Sequence, residues 1–207
     1  MAVLAISCGT IAEVRAGTIT AAEVISGCGT AMISTLPNPQ IEKSFDRICS
    51  MDIIFTVTNN TALGRANFTE GVLNSMGPSW IDFHMQLGFG SGSQFTPAPA
   101  NCGPGFATLP PPVSFPFRMA GVSSNAIDWS GGTVPQGMAA SFRFDIIIPD
   151  FAPCIPTGSQ LPNGYIFTLR ETPSTVPEPA TMLLLSTGLA GVVLEARRQR
   201  KAKSSKT

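Results

Sequence analysis

At 207 residues, with 13 Lys+Arg against 13 Asp+Glu, the chain is too short for several large domains and long enough for one with a sizeable core. Only 13% of its residues are charged while it holds 20 Gly and 18 Pro, which favours a turn-rich all-β body over a helical one. Of the thirteen basic residues six lie in 176–207 and one is Arg15, leaving six against ten acids in residues 17–175, and a net charge of −4 there argues against nucleic-acid binding.

The chain opens on a small, apolar run from Ala2 to Val14, followed by Val14-Arg15-Ala16 before Gly17. Small residues at the −3 and −1 positions suit a signal peptidase, so residues 1–16 read as a truncated signal peptide. A start codon upstream of Met1 would supply the missing basic n-region. Cys8, after Ala5-Ile6-Ser7, makes a poor lipobox and reads as an ordinary residue of the apolar run. Four cysteines follow, Cys28, Cys49, Cys102 and Cys154. An even number in an exported chain implies two disulfides, for which three pairings exist. Easier closure of nearer loops favours Cys28–Cys49 with Cys102–Cys154. With no CxxC and His84 as the single histidine, no structural zinc and no other cofactor is expected.

The body, residues 17–170, reads as strands separated by Gly/Pro turns. Ile53, Phe55 and Val57 alternate with Asp52, Ile54, Thr56 and Thr58 in a strand ending at Asn59-Asn60. From Trp80 to Leu87, period two puts Ile81, Phe83, Met85 and Leu87 on a core face and Trp80, Asp82, His84 and Gln86 on a wet one. Residues 88–105 read as a long loop. Val113, Phe115, Phe117 and Met119 form the next alternation, which Pro116 confines to an edge. Phe142, Phe144, Ile146 and Ile148 alternate with Ser141, Arg143, Asp145 and Ile147, and a last strand runs from Tyr165 to Arg170. Residues 171–175 read as a linker. The expected architecture is a single β-sandwich, immunoglobulin-like or jelly-roll in type.

The last stretch has three parts: Val176-Pro177-Glu178-Pro179; an uncharged run from Ala180 to Leu194; and a basic end with Arg197, Arg198, Arg200 and Lys201. The two prolines hold the first part extended and delay any helix. Fifteen helical residues from Ala180 to Leu194 reach about 22 Å, short of the ~30 Å hydrocarbon core but able to span with local thinning and snorkelling of the flanking cations. The basic end keeps this terminus cytoplasmic and the body outside. In this order at 176–207, the three parts resemble the PEP-CTERM sorting signal of bacterial exported proteins, with Glu195 a small departure from a clean junction. The resemblance implies recognition and processing by an exosortase-type membrane protease, passage through the inner membrane with a transmembrane helix at 180–194, and delivery to the cell surface or extracellular space of a Gram-negative-type envelope. It further implies association with exopolysaccharide. The passages from Phe55 to Leu87 and from Trp129 to Asp150 are also similar to the short β-sandwich bodies found upstream of such tails. No regular Thr-rich repeat of an ice-binding solenoid is present.

For catalysis the sequence offers little. A Ser-His-Asp triad would have to use His84, and no Gly-x-Ser-x-Gly elbow exists. Asp82, Asp128, Asp145, Asp150 and Glu171 could supply a glycosidase carboxylate pair, and Asp145 or Asp150 a calcium ligand, but no D-x-D-x-D-G motif backs the latter. The arrangement most suited to a ligand is the wet face of the Trp80 strand. There Trp80, Asp82, His84 and Gln86 stand about 6.6–6.8 Å apart, an aromatic plate beside carboxylate and amide groups on which a sugar could stack. The expected function is therefore an exported, non-enzymatic structural protein of the cell surface or extracellular matrix, with a carbohydrate-binding module and a secreted hydrolase as the alternatives.

Overall fold

The computed structural model describes residues 16–25, 28–60, 64–100, 103–149 and 155–175, all in strands, turns and two short 3-10 segments. The strands are β1 (Ala16–Ile25), β2 (Gly29–Ser34), β3 (Gln40–Phe45), β4 (Met51–Asn60), β5 (Arg65–Asn74), β6 (Trp80–Phe89) and β7 (Thr96–Pro97). They continue with β8 (Gly105–Phe106), β9 (Val113–Phe115), β10 (Met119–Val122), β11 (Ala126–Ser130), β12 (Ala139–Ile147), β13 (Gln160–Leu161) and β14 (Gly164–Thr175). One sheet has the order β1-β4-β14-β6-β11-β10, with β13 added on β14 and β7 on β6. The other has the order β2-β3-β5-β12-β8, with β9 added on β12.

The two sheets pack face to face through aromatic rings contributed alternately by each. Phe55 of β4 meets Phe68 of β5 edge-on at 5.3 Å, and Phe83 of β6 stacks on Phe142 of β12 at 4.8 Å. Period-two alternation explains why these residues are available: Met51, Ile53, Phe55 and Val57 point inward from β4, and Ala140, Phe142, Phe144 and Ile146 from β12. The body is thus a β-sandwich, as the alternation predicts.

The chain changes sheets between β3 and β5 by passing through β4, and β3 pairs with β5 in parallel. A parallel pair needs such a crossover, whereas the antiparallel pairs β2–β3 and β10–β11 follow from short turns. The last strand, β14, enters the sheet between β4 and β6. It starts at Gly164, whose φ of 153° and closeness to the Val57 carbonyl leave no room for a Cβ.

Three expectations need correcting. Residues 171–175 are not a linker: β14 continues through them to Thr175, because Glu171 is drawn into the core by charges described below. Val113 to Met119 is not one strand. It breaks at Pro116 into β9 and β10, which belong to different sheets; Phe117 turns inward while Val113, Phe115 and Met119 are exposed. Finally, Trp80 is fully buried, its ring 5.7 Å from Phe45 and 5.9 Å from Phe83. Its backbone exchanges both hydrogen bonds with Val134, and the strict alternation holds only from Phe83 to Leu87.

The long loop after β6 is held by a clamp that the sequence did not reveal. Arg170 and Asp52 face each other across β14 and β4 and form a two-point ion pair, 2.7 Å at both contacts. The Gly92 N–H donates to Asp52 Oδ2, Arg170 donates to the Gly92 carbonyl, and the Arg170 guanidinium lies 4.0 Å above the Phe95 ring.

Cys28 and Cys49 form a disulfide, Cα–Cα 5.8 Å, closing the stretch that holds β2 and β3. Cys102 and Cys154 lie outside the described residues, as do the expected leader apart from Ala16, the transmembrane segment 180–194 and the basic end. Among the described residues no helix is long and apolar enough to cross a membrane. Closing 21 residues with a disulfide restricts the unfolded chain, so the double variant Cys28→Ser/Cys49→Ser should lose about 3 kcal/mol of unfolding free energy in urea titration. An unchanged midpoint would contradict this.

Candidate functional site

Three strands each carry a charged residue at a position where the alternation calls for an apolar one. In β3 it is Lys43, between Ile41 and Phe45; in β5 it is Glu70, between Phe68 and Val72; in β14 it is Glu171, after Phe167 and Leu169. All six apolar neighbours are buried, and the three charged side chains are fully enclosed with them. Lys43 Nζ donates to Glu70 Oε2 at 2.8 Å and to Glu171 Oε2. Lys43 and Glu70 belong to one sheet and Glu171 to the other, so the cluster ties the two layers together across the interior.

The electrostatics follow from this enclosure. Burial opposes the Lys43 ammonium, but the facing Glu171 and Glu70 carboxylates outweigh it and raise its pKa above the ordinary 10.5. Burial, then the adjacent Glu70 carboxylate, hold Glu171 well above the ordinary 4.5, with Lys43 pulling the other way. Two carboxylates and one ammonium thus occupy one dry site, in which the proton affinity of Glu171 is raised. Glu70 Oε1 and Glu171 Oε1 are buried without a hydrogen-bond partner among the described residues.

A second polar group lies on the outer face of the larger sheet. His84 of β6 sits opposite Asp128 of β11, Nδ1 to Oδ1 2.8 Å, and its Nε2 lies 3.2 Å from Ser174 Oγ on β14. The order Ser-His-Asp is that of a hydrolase triad. Here, however, Ser174 stands on a regular strand rather than at a strand-to-helix elbow that would present backbone N–H groups to an oxyanion. His84 and Asp128 are 44% and 66% exposed, so their contacts form in water. The row cross-braces three neighbouring strands.

The expected sugar face is only partly assembled. Asp82, His84 and Gln86 remain half-exposed, but Trp80 packs inward and cannot serve as their stacking plate; its indole N–H has no acceptor among the described residues. Of the carboxylates considered for catalysis, Asp128 holds His84, and Asp145 is bound by Arg65 and by Asn67 at 2.6 Å. Glu171 is enclosed with Lys43, and Asp150 lies outside the described residues. Among the described residues no group of three or more His, Cys, Asp or Glu could hold a metal ion. The sorting residues Val176, Pro177, Glu178 and Pro179 and the basic residues Arg197, Arg198, Arg200 and Lys201 also lie outside them.

The family model for the PEP-CTERM protein-sorting motif matches residues 175–201. The chain carries a PEP-CTERM sorting motif. It begins at Thr175, the last residue of β14, and indicates export and sorting by a membrane-bound exosortase to the cell surface or extracellular space. No curated protein and no solved structure matches the chain.

Three substitutions check this assignment of core and surface. Lys43→Met strands two enclosed carboxylates and should lower the unfolding free energy by at least about 3–5 kcal/mol, whereas Arg47→Ala, at the exposed Asp46–Arg47 pair, should leave the urea midpoint unchanged. Trp80→Ala should lose about 3–5 kcal/mol by opening a cavity against Phe45 and Phe83. A loss no larger than that of a surface substitution would mean that Trp80 is not a core residue.

Proposed function

We propose that this PEP-CTERM protein is a non-catalytic structural component of the extracellular matrix, released or attached at the cell surface by an exosortase and associated with exopolysaccharide. The observation that carries the reading is the sorting motif at residues 175–201, which starts at the last residue of β14 of the sandwich. The way the body spends its charges supports it. Asp52, Glu70, Asp128, Asp145 and Glu171 are each held by an internal partner, an arrangement suited to rigidity rather than turnover. The inward turn of Trp80 removes the aromatic plate on which a carbohydrate-binding reading of this strand rested.

Mass spectrometry of the mature protein from its native host tests the sorting step. The expected chain ends within or near Val176 to Pro179 and lacks Met182 to Thr207. An intact mass that still contains Met182 to Thr207 overturns the processing.

A further inference from the structure

The enclosed cluster has the parts of a condensation reaction. An amine and a carboxyl group, Lys43 Nζ and Glu171, are in contact, and a second carboxylate, Glu70 Oε2, stands 2.8 Å from the same nitrogen. All three side chains are sealed from solvent, and the strands that carry them leave little freedom to separate. We propose that Lys43 and Glu171 join in an intramolecular amide, Nζ to Cδ, with Glu70 as the proton-transfer group. This goes beyond the matrix reading and does not depend on it.

The steps balance without any co-reactant. Glu70 accepts a proton from the Lys43 ammonium, and the freed amine attacks the Cδ of Glu171, which reacts in its protonated form, an electrophile rather than a carboxylate. Glu70 returns its proton to the departing hydroxyl, which leaves as water as the C–O bond breaks. It then takes the second proton from the nitrogen as the amide forms. The products are one amide, one water and a neutral Glu70 carboxylic acid, with net charge zero before and after.

Two physical features favour this direction. Amide formation in water is opposed by the solvent, but here the reacting atoms are held in place and the released water has an apolar enclosure to leave; fixed geometry of this kind is worth effective molarities of about 10⁵–10⁸ M. The ion cluster is also kept at a desolvation cost that the neutral product does not carry. Condensation expels one of Glu171's two oxygens, and so leaves one carboxyl oxygen fewer in the dry enclosure. The bond would join β3 to β14, and hence one sheet to the other, between residues 128 positions apart. Unlike Cys28–Cys49, it would survive reduction.

The test is peptide mapping by mass spectrometry of the full folded chain after reduction and denaturation. The expected result is a branched peptide joining residues 43 and 171, lighter than the two linear peptides together by one water, about 18 Da. Because the readout is at the peptide level, trimming of the sorting motif does not affect it. Linear peptides carrying a free Lys43 amine and a free Glu171 carboxyl in the wild-type chain overturn the proposal. Glu70→Gln, checked for native circular dichroism, should leave the two residues unjoined; a branched peptide in that folded variant overturns the role given to Glu70. If Glu70→Gln does not fold, the wild-type map alone decides.

Discussion

The sandwich depends on the contact between Lys43, Glu70 and Glu171, a fully enclosed polar interaction that crosses from one sheet to the other. Apolar side chains would fill the same space with less desolvation penalty, and an isolated charge there would be costly. The three are tolerated because each supplies what the others lack: a cation stands between two carboxylates and donates to both. The three are therefore coupled: removing Lys43 would leave two enclosed carboxylates with no cation between them.

Around that contact the remaining interactions divide by layer. The rings of Phe45, Trp80, Phe83 and Phe142 fill one side of the interior, and Phe55, Phe68, Phe144 and Phe167 the other. At the rim, Arg170 and Asp52 bind the loop after β6 to the strands. On the outer face, Asp128, His84 and Ser174 link β11, β6 and β14. Strand β14 contributes to each of these groups: Phe167 to the interior, Glu171 to the charged centre, Arg170 to the rim and Ser174 to the outer face.

That role bears on sorting. Since β14 ends at Thr175, where the PEP-CTERM motif begins, a cut within Val176 to Pro179 leaves the strand whole. A linker at 171–175 would have left slack between body and signal; instead the chain is structured up to the motif.

Much of this was legible in the sequence where one local rule was enough. Alternation in 52–58 and 141–148 identified core faces, because side-chain direction along a strand has period two. Proline, apolar and basic segments in fixed order identified the sorting motif, because each acts through its own chemistry and needs no tertiary partner. Trp80 was misread for the converse reason: the alternation does not extend to the strand's first residue, whose direction is set by the backbone pairing with Val134. The charged cluster left a faint trace, one charge in phase with apolar residues in each of three strands. Sequence alone gives no means of knowing that Lys43, Glu70 and Glu171 meet. Their separations along the chain are bridged only by a parallel pairing and by packing between sheets, and it is this tertiary proximity that turns three anomalies into one enclosed site.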